Sequence, residues 1–427
     1  MELITSHKQL AIQAAIEQGI LSEEKPLVAL VNKQGLVNSV KKLHAAFPSH
    51  FKHCFAVKAN PYFKILQQLQ ETGMGAEVAS LPELELSLKA GFSAEQIIFD
   101  APVKTQQEIE RALTLGIAFN IDNFQELERV IEWFKNNQSS SSIGFRINPQ
   151  IGAGSVASTS TATMTSKFGI GLKDKDNREQ IIQSCKKYAW LDSLHVHVGS
   201  VGCPMELMCE GVATIVELAQ QINHETDKKQ IKYLDIGGGL PVDFTQDADT
   251  PEFAEYAATL SKNVPEVMNG EYHITTEYGR AIIAKNAITA GRVEYTKTMG
   301  GLPVVLSHIG VHTLLRTVSE PEDWKRRISA FDANGQSKQG ELIKQNIAGP
   351  ACFTGDLIAK ERPLPLLQAG DYILVHDTGA YHFSNHYQYN ALPRPPVYFY
   401  ELDDKKQILF NKISAGQTTQ DVIQDYS

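Results

Sequence analysis

Residues 53–62 read HCFAVKANPY, an apolar run that closes on Lys58 and is followed by Asn60 and Pro61. Such a run is typical of a buried β-strand. A lysine at the end of a buried strand either carries its charge to solvent or has given up that charge for chemistry. The surrounding sequence has to decide between the two, because the run alone is compatible with both.

Seven further apolar runs follow at spacings of roughly twenty residues and alternate with amphipathic patterns, as expected for parallel strands joined by crossover helices. One helical pattern covers Leu81–Gly91, with Ser80 as the expected N-cap, Pro82 in the first turn and Gly91 as the stop. Eight strands are the number that a closed β/α barrel requires. The eight runs are Phe55–Val57, Ala76–Ala79, Ile97–Phe99, Ala118–Ile121, Ile143–Ile147, Leu194–Val198, Tyr233–Ile236 and His273–Thr276.

The pattern changes after residue 285 to β-rich runs separated by turn residues, for example Tyr372–Val375 and Val397–Tyr400. A chain of 427 residues also exceeds the length of a single β/α barrel. We therefore predict an α/β fold in which residues 35–285 form a (β/α)8 TIM barrel. Residues 1–34 and 286–427 are predicted to form a mostly antiparallel β domain. The Ser/Thr/Ala-rich segment 153–166 is long for a structureless loop, which predicts either disorder or a cover over the site.

Composition and net charge argue against some classes of binding partner. The net charge is −9 and the sequence has no dense Lys/Arg run, so a nucleic-acid or anionic-membrane surface is not expected. The sequence shows no apolar run near the roughly 20 residues of a membrane span, and no signal-peptide pattern at its start. Five cysteines without paired metal-ligand spacing fit reduced thiols. These features predict a cytoplasmic protein that acts on a small molecule.

Polar or glycine-rich features follow four of the predicted strands, at the end where barrel side chains face the catalytic mouth. Lys58 ends the first run, His197 lies near the end of the sixth, Gly237–Gly239 follow the seventh, and Glu277–Arg280 follow the eighth. Each has a structural alternative: a lysine that reaches solvent, a packed histidine, or a tight glycine turn. His195 and His197 could ligate a metal, but no third ligand with suitable spacing is found, and no metal is predicted. Together the features match what pyridoxal 5′-phosphate requires: a Schiff-base lysine, a stacking ring, a phosphate loop and a carboxylate.

The order of the motifs points to a known family. FAVKANP, EVAS, RINP, SKFGI, HVHVGS, DIGGGLP, EYGR, GPACFTGD and DTGAY occur in this order between about residue 50 and residue 396. The chain thereby resembles the fold-type III pyridoxal-phosphate decarboxylases, which include ornithine, arginine and diaminopimelate decarboxylases, and its motif order is most similar to that of diaminopimelate decarboxylase-like proteins. The resemblance implies an alanine-racemase-like cofactor barrel, a C-terminal β domain and a homodimer whose active sites lie at the subunit interface.

The same resemblance implies roles for individual residues. Lys58 would form the Schiff base, His197 would stack on the cofactor ring, Glu277 would pair with the pyridine nitrogen, and Arg146 would lie near the cofactor. Cys352 would enter the neighbouring subunit's site and influence protonation of the α-carbon, although a buried small side chain is the structural alternative. The residues that would hold the phosphate are Ser200, Gly237, Gly238, Gly239, Gly279, Arg280 and Tyr381. The residues predicted to contact the substrate are Arg316, Phe353, Asp356 and Tyr381.

Some positions depart from the family pattern. Tyr278 replaces the proline of the EPGR motif, a change that should leave cofactor binding intact. Phe353 stands where the diamine-forming members carry Asp or Glu for the substrate's distal ammonium group, and a phenyl ring serves a desolvated charge poorly. We therefore predict that free ornithine, lysine and diaminopimelate are not the preferred substrates. Arg316, with His308 or His312 nearby in sequence, could instead bind a distal carboxylate, although a salt bridge is its structural alternative. A substrate with an acidic or conjugated distal end follows as a hypothesis.

The leading prediction is a decarboxylase that converts an amino acid to an amine and carbon dioxide. A racemase of the same cofactor fold is the nearest alternative, but the alanine-racemase pattern KANAYGHG is not found, since Lys58-Ala59-Asn60 continues as Pro61-Tyr62. A protein that binds the cofactor without turnover and a plain metabolite-binding barrel are the alternatives from another class.

Overall fold

The computed structural model describes residues 6–427. Its strands in chain order are β1 Leu27–Asn32, β2 Phe51–Ala56, β3 Gly75–Val78, β4 Ile97–Asp100, β5 Ala118–Ile121, β6 Ile143–Asn148, β7 Ile170–Gly171, β8 Leu191–Val196, β9 Tyr233–Asp235, β10 His273–Tyr278, β11 Ala287–Met299, β12 Leu302–Ser307, β13 Ile328–Phe331, β14 Leu342–Ala348, β15 Leu357–Pro365, β16 Tyr372–Val375, β17 Val397–Leu402 and β18 Ile408–Ser414. Its helices are α1 Ser6–Glu17, α2 Lys33–Ala46, α3 Phe63–Glu71, α4 Leu81–Ala90, α5 Gln106–Leu115, α6 Phe124–Phe134, α7 Asn177–Lys187, α8 Met205–Thr226, α9 Phe253–Asn263, α10 Arg280–Ile283, α11 Val311–Ser319 and α12 Thr419–Asp425.

The predicted barrel is confirmed. Strands β2, β3, β4, β5, β6, β8, β9 and β10 pair in parallel in this order, and the ring closes through β10–β2 pairing. The two-residue strand β7 pairs with β6 beside the ring. The strands are buried on both faces, which explains why their sequences read as continuous apolar runs.

Local signals define the crossover helices as the sequence predicts. In α4 the Ser80 side chain accepts a hydrogen bond from the Glu83 N–H, and Pro82 lies in the first turn. Gly91 ends the helix with φ +105°, a left-handed conformation that suits glycine.

Four strand ends lie earlier than the sequence predicts, and two of them lie just before the candidate site residues Lys58 and His197. The first run is predicted to continue through Val57, but β2 ends at Ala56 and Lys58 lies in a 3₁₀ turn, Val57–Ala59. The sixth run is predicted to reach Val198, but β8 ends at Val196, so His197 follows the strand. Both side chains therefore stand on the turns after their strands rather than within the pleated sheet.

The second unit is a mostly antiparallel sheet, as predicted. Its main strand order is β15-β14-β12-β11-β1-β17-β18, with β16 pairing to both β11 and β13. Only the β1–β17 and β12–β14 pairs among these strands are parallel. Helix α1 packs on one face through Ala11, Ile12 and Ala15, which join a core that includes Leu374. The other core cluster, around Ile347 and Ile373, lies between β11, β12, β14 and β16.

The division of the chain differs from the predicted boundaries in one internal segment and by two or three residues at the two ends of the barrel. One unit, called the barrel unit, comprises Val37–Val242 and Thr250–Ile282. The other, called the β unit, comprises the described residues through Leu36, Ile283–Ser427, and also Asp243–Asp249, which the sequence placed in the barrel. Asp247 explains this assignment, because its carboxylate pairs with Lys8 at 2.6 Å and with Arg327 at 2.7 Å. Among residues 6–427, no helix has the length and apolar character needed to cross a membrane.

Candidate active site

Lys58 lies within reach of a buried carboxyl group that the sequence did not mark as part of the site. The Lys58 Nζ donates to Glu77 Oε2 at 2.5 Å, and the Glu77 side chain is fully buried. Burial raises the pKa of Glu77 to about 8, a rise that the Lys58 charge reduces but does not cancel. A carboxyl group with a pKa near neutrality can therefore exchange a proton with the Lys58 amine.

A chain of ionisable side chains crosses the barrel interior. The Arg146 guanidinium donates to Asp100, whose other carboxylate oxygen lies 3.5 Å from Nδ1 of His195. The opposite ring nitrogen of His195 lies 3.6 Å from Glu277 Oε2. All four side chains are buried. Burial opposes a charge on His195, yet the two flanking carboxylates raise its pKa well above the ordinary value, so the ring is an imidazolium.

Glu277 is ionised because of this arrangement. Burial acts to raise its pKa, but the His195 cation outweighs burial and lowers the pKa to about 2. The pKa of Asp235 shifts in the opposite direction, because burial and the Glu277 charge raise it well above the ordinary value. Oxygen Oε1 of Glu277 has no hydrogen-bond partner within residues 6–427. A buried carboxylate oxygen without a partner is costly unless a donor arrives.

The loop after β9, Gly237–Gly239, is called the glycine loop, and it lies close to the backbone of two other segments of the chain. The Gly238 N–H donates to Nδ1 of His197 at 3.1 Å, which fixes the tautomer of this buried ring. A Cβ on Gly238 would lie 2.0 Å from the Glu277 carbonyl oxygen, and one on Gly239 would lie 1.8 Å from the Gly199 carbonyl oxygen. Gly237 and Gly239 have φ of +66° and +93°. Glycine is therefore required here for both space and conformation.

His197 is neutral at physiological pH. Burial and the Arg146 charge lower its pKa to about 3. A neutral, buried ring held by the Gly238 N–H can stack on a planar group without bringing a further charge.

The segment 153–166 is ordered and packs onto the loop after β8. Ser200 N–H donates to the Thr159 carbonyl at 3.1 Å, and Thr161 N–H donates to the Val198 carbonyl at 2.9 Å. The Thr159 hydroxyl donates to the Val201 carbonyl at 2.7 Å. These contacts favour a fixed cover on the loop over a disordered segment, and they occupy the Ser200 N–H.

Gly279 and Arg280 stand where β10 meets the short helix α10. A Cβ on Gly279 would come within 2.9 Å of the Ala59 side chain and 3.1 Å of the Ala56 side chain, so this position adjoins the Lys58 turn. Arg280 is buried. Tyr278, the departure from the family motif, contributes to the barrel packing: its ring lies 5.1 Å from Phe253 in an edge contact and 6.4 Å from Phe47.

The β unit holds the loop that carries Cys352. Asp356 is buried and accepts hydrogen bonds from the Val311 N–H at 2.7 Å and the Ala351 N–H at 2.8 Å. Gly310 and Gly349 leave room for this carboxylate, since a Cβ on either would come within 2.6 Å of it. The substrate contact that the sequence predicts for Asp356 stays a prediction, and each of its oxygens accepts one hydrogen bond from backbone. The geometry favours a role in shaping the loop.

Cys352 and Phe353 are exposed on this loop. The Cys352 N–H donates to the Asn390 side chain at 2.7 Å, and the Phe353 ring lies 5.1 Å from the Tyr389 ring. Tyr387 stacks near Tyr389 with ring centres 6.1 Å apart. The surroundings of Phe353 are therefore aromatic.

Arg316 and Tyr381 lie together in the β unit. The half-buried Arg316 guanidinium lies 4.8 Å from the Tyr381 ring centre and 4.9 Å from that of Trp324. Arg316 forms no ion pair within the described residues. Its two sequence neighbours are less suited to anions: Nε2 of His308 is 3.1 Å from Glu294, and burial lowers the pKa of His312 to about 3.

Ligand atoms of Asp100, His195 and Glu277 lie within 4.8 Å of one another, which is close enough to hold a metal ion. The electrostatics favour charge pairing instead, because His195 is itself the cation between the two carboxylates and Asp100 is also paired with Arg146. We therefore interpret the three side chains as a charge relay, not a metal centre.

Sequence reasoning missed Glu77, Asp100 and Asp235, and it preferred a satisfied core or stacking histidine to a metal ligand for His195, without predicting its place between two carboxylates. A signal was present, because each is a charged or ionisable residue within an otherwise apolar strand run. Such residues are almost never fully buried unless they are paired.

Comparisons with known proteins agree with this geometry. A family model described as "Pyridoxal-dependent decarboxylase, pyridoxal binding domain" matches residues 33–284. A second, "Pyridoxal-dependent decarboxylase, C-terminal sheet domain", matches residues 214–379.

Individual relatives cover most of the chain. The diaminopimelate decarboxylase of Vibrio cholerae serotype O1 is 30% identical over 387 residues, which are 87% of this chain and 89% of that protein. The diaminopimelate decarboxylase of Helicobacter pylori is 30% identical over 366 residues, which are 85% of this chain and 86% of that protein. The crystal structure of the Helicobacter pylori enzyme complexed with L-lysine matches with a TM-score of 0.84 and 26% identity, covering 96% of this chain and 99% of that one.

Proposed function

Because the chain belongs to the pyridoxal-dependent decarboxylase family and is thus a pyridoxal-phosphate-dependent decarboxylase, we propose that its substrate is an amino acid with an acidic or conjugated distal end. Phe353, at the position where diamine-forming relatives are expected to carry an acid, is the observation that carries this proposal. The matches to both decarboxylase domain models weigh against the racemase alternative and against a barrel without turnover.

The barrel unit has features that fit the cofactor. The Glu277 Oε1 atom has no partner within the described chain and would accept a hydrogen bond from a protonated ring nitrogen. Gly237–Gly239 leave no space for a side chain, so their backbone can approach a phosphate closely. Pyridoxal phosphate, when bound, supplies the electron sink for the electron pair that is left when the α-carboxylate departs.

The residues of this chain would hold the cofactor and hold or transfer protons. Lys58 would hold the cofactor through its amine, and Glu77 would accept or return the proton of that amine across 2.5 Å. Glu277, kept anionic by His195, would hold a proton on the ring nitrogen. His197 would cover one ring face, and Arg280, Gly279, Ser200 and the glycine loop of the barrel unit would hold the phosphate.

The substrate's distal end would meet a site that is poorly suited to an ammonium group. In the loop 349–356 the only carboxyl group is Asp356, and backbone N–H groups occupy both of its oxygens. Phe353 is 37% exposed and has Tyr389 beside it. Arg316, stacked on Tyr381, offers a guanidinium for a carboxylate. An amino acid whose far end carries a carboxylate, or is conjugated to an acidic group, satisfies these features.

Diaminopimelate is the second candidate. The relatives reported above carry that activity in their names, and the distal end of this substrate bears a carboxylate that Arg316 could bind. Its distal ammonium group, however, would face Phe353 without an acidic partner.

The test is a decarboxylation screen with the purified, cofactor-loaded protein, with carbon dioxide release as the readout. The panel contains ornithine, lysine, diaminopimelate, acidic amino acids, and amino acids amide-linked or ester-linked at the side chain to a dicarboxylate. We expect a higher kcat/KM for acidic or conjugated members. Efficient turnover of ornithine or lysine would show the proposal to be wrong, and preference for diaminopimelate would select the second candidate.

We also propose that two copies of the chain assemble, with Cys352 of each reaching the other's site to influence protonation of the α-carbon. The exposure of Cys352 and Phe353 supports this, since an element that completes a partner's site is open in a single chain. Mixing an inactive Lys58→Ala chain with an inactive Cys352→Ala chain should restore part of the activity, because one site of the mixed dimer keeps both residues. No recovery after exchange of subunits would contradict the assembly. A cytoplasmic location stays a prediction, supported by five cysteines that form no disulfide.

A further inference from the structure

The barrel unit contains a cavity at the end opposite to the candidate active site. Its volume is about 340 Å³. It opens among segments that precede the barrel strands, such as His50 before β2 and Ser140–Ser142 before β6, whereas Lys58 and His197 follow strand ends. We call this space the lower cavity. The lower cavity and the candidate active site therefore lie at opposite ends of the same barrel.

The lower cavity reaches from the surface to the middle of the barrel. Among its lining residues, Ser140 and His273 are exposed, whereas Asn120 and Asp235 are each 1% exposed. Bulky branched side chains normally fill the interior of a TIM barrel. Here three strands contribute small side chains to the lining, which leave the space open: Ala118, Ser193 and Thr275.

The inner end of the lower cavity holds two polar groups without partners. Nδ2 of Asn120 donates no hydrogen bond and Oδ2 of Asp235 accepts none within residues 6–427, although the other oxygen of Asp235 accepts one from the Gly237 N–H at 3.0 Å. A cavity of this size with a polar lining holds water, and polar groups are costly to bury without it. Water in the lower cavity therefore extends from solvent to Asp235.

The charges around the opening favour water over an ion. Lys52 donates to the Glu95 backbone carbonyl at 2.5 Å, and the Asp192 carboxylate accepts a hydrogen bond from the Ser142 hydroxyl at 2.9 Å. Side chains of both signs, those of Lys52, Glu95 and Asp192, thus surround the opening. A lining of mixed sign does not concentrate anions or cations as a lining of one sign does.

Asp235 separates the lower cavity from the charge relay. In the parallel pairing of β9 with its neighbours, Asp235 is opposite His195 of β8 and Thr275 of β10. Glu277 lies two residues beyond Thr275, so its side chain points to the same face of the sheet. Burial and the Glu277 charge raise the pKa of Asp235, so its carboxyl group is protonated. Asp235 therefore carries an exchangeable proton between the cavity water and the relay.

We propose that the lower cavity and Asp235 form a proton path between solvent and the charge relay. Asp235 gives its carboxyl proton to the Glu277 carboxylate and receives another from a water molecule in the cavity, which is reprotonated from bulk solvent. Glu277 passes the proton on, because the His195 cation favours the ionised form of Glu277. The reverse sequence releases a proton. The path does not depend on the identity of the substrate, and it lets the relay equilibrate with solvent while the candidate active site is occupied.

The experiment is nuclear magnetic resonance of the cofactor-loaded protein with isotopically labelled histidine. The readout is the rate at which the ring N–H protons of His195 exchange with water, and their signals are assigned by their loss in His195→Gln. The His195 ring lies 3.6 Å from Glu277, so its protons leave through the same groups. Ala118→Leu fills the lower cavity with an apolar side chain. The exchange rate should then fall by at least about tenfold, because water no longer reaches Asp235.

Ala258→Leu is the matched control, since Ala258 is exposed on α9 and does not line the cavity. Its exchange rate should equal that of the wild type. Asp235→Asn keeps the shape of the side chain but replaces the acid by an amide, and its rate should also fall by at least about tenfold. This variant decides the question if Ala118→Leu does not fold.

A slower rate cannot arise from local destabilisation, because looser packing opens the structure to solvent and speeds exchange. The proposal is overturned if folded Ala118→Leu exchanges as fast as Ala258→Leu, or if Asp235→Asn exchanges as fast as the wild type.

Discussion

Gly239→Ala tests whether the glycine loop is shaped for close backbone approach. Gly239 has φ +93°, and a Cβ built on it would lie 1.8 Å from the Gly199 carbonyl oxygen. Real Cβ atoms do not come within 3.0 Å of such an atom, so the backbone must move by roughly 1 Å. The substitution therefore adds a steric displacement to a conformational cost.

Gly73→Ala separates the two effects. Gly73 has φ +85°, close to that of Gly239, but nothing lies within 4 Å of the point that its Cβ would occupy. The left-handed conformation alone costs about 1–2 kcal/mol for a residue with a side chain. The clash at Gly239 adds about 1–3 kcal/mol, as overpacking does elsewhere. We expect the free energy of unfolding to fall by about 1–2 kcal/mol in Gly73→Ala and by about 2–5 kcal/mol in Gly239→Ala.

The effect on the cofactor should be larger than the difference in stability suggests. A shift of roughly 1 Å breaks hydrogen bonds from the loop to a phosphate, and each such bond to a charged group contributes about 1.5–3 kcal/mol. Loss of one bond weakens pyridoxal phosphate binding by about 10- to 150-fold. The assay is equilibrium titration of apoprotein with the cofactor, followed by visible absorption, beside urea unfolding of each apoprotein. If Gly239→Ala, still folded, binds within threefold of Gly73→Ala, the loop does not hold the phosphate.

Three further predictions concern single residues. Lys58→Ala should lose the Schiff-base absorption band, and no cofactor should remain covalently attached after borohydride reduction. The control Lys64→Ala, at an exposed position in α3, should keep both signals. Cofactor trapped covalently in Lys58→Ala would assign the imine to another lysine. For Glu277 the pKa is lowered from 4.5 to about 2 in the folded apoprotein, so its stabilising contribution is present above pH 4.5 and is lost as the pH falls toward 2. That contribution is about 3 kcal/mol. When urea unfolding is followed across this pH range, Glu277→Gln should lack this part of the acid-induced fall in the free energy of unfolding. Equal pH dependence of the unfolding free energy in Glu277→Gln and the wild type would contradict the prediction. Phe353→Asp should raise kcat/KM for lysine or ornithine by about tenfold or more, because the substrate's distal ammonium group gains a charged partner. An unchanged substrate ranking would show that Phe353 does not face the distal end.

The fold was predictable because its signals are local. Each barrel strand is a short apolar run, and helices such as α4 carry their N-cap and C-terminal glycine in the sequence. The segment Asp243–Asp249 was not predictable, since its place in the β unit depends on Asp247. The partners of Asp247, Lys8 and Arg327, are 239 and 80 residues away along the chain. No local pattern encodes a pairing at such distance.

The candidate active site likewise has one part that the sequence predicts and another part that it does not. Lys58, His197 and the glycine loop follow strands, and Glu277 lies near the end of β10. A barrel brings all strand ends to one mouth, so the grouping of these residues follows from topology. The grouping of the charge relay, Asp100, His195 and Glu277, does not follow from topology in this way. Asp100 meets Arg146 and His195 because β4, β6 and β8 take particular positions around a closed ring. The sequence shows only that charged residues interrupt apolar strands, and it cannot say which of them face one another.

The buried acids of the barrel are not equivalent, and their differences assign the proton chemistry. Burial alone would favour the neutral form of each. Glu77 and Asp235 follow that rule, with pKa values raised to about 8 for Glu77 and well above the ordinary value for Asp235. Glu277 departs from it because the His195 cation lies 3.6 Å away. Environments that push the pKa values of neighbouring acids apart give them separate tasks. Glu277 is therefore the permanent anion suited to a protonated ring nitrogen, and Glu77, beside the Lys58 amine, is the group able to gain and lose a proton near neutral pH.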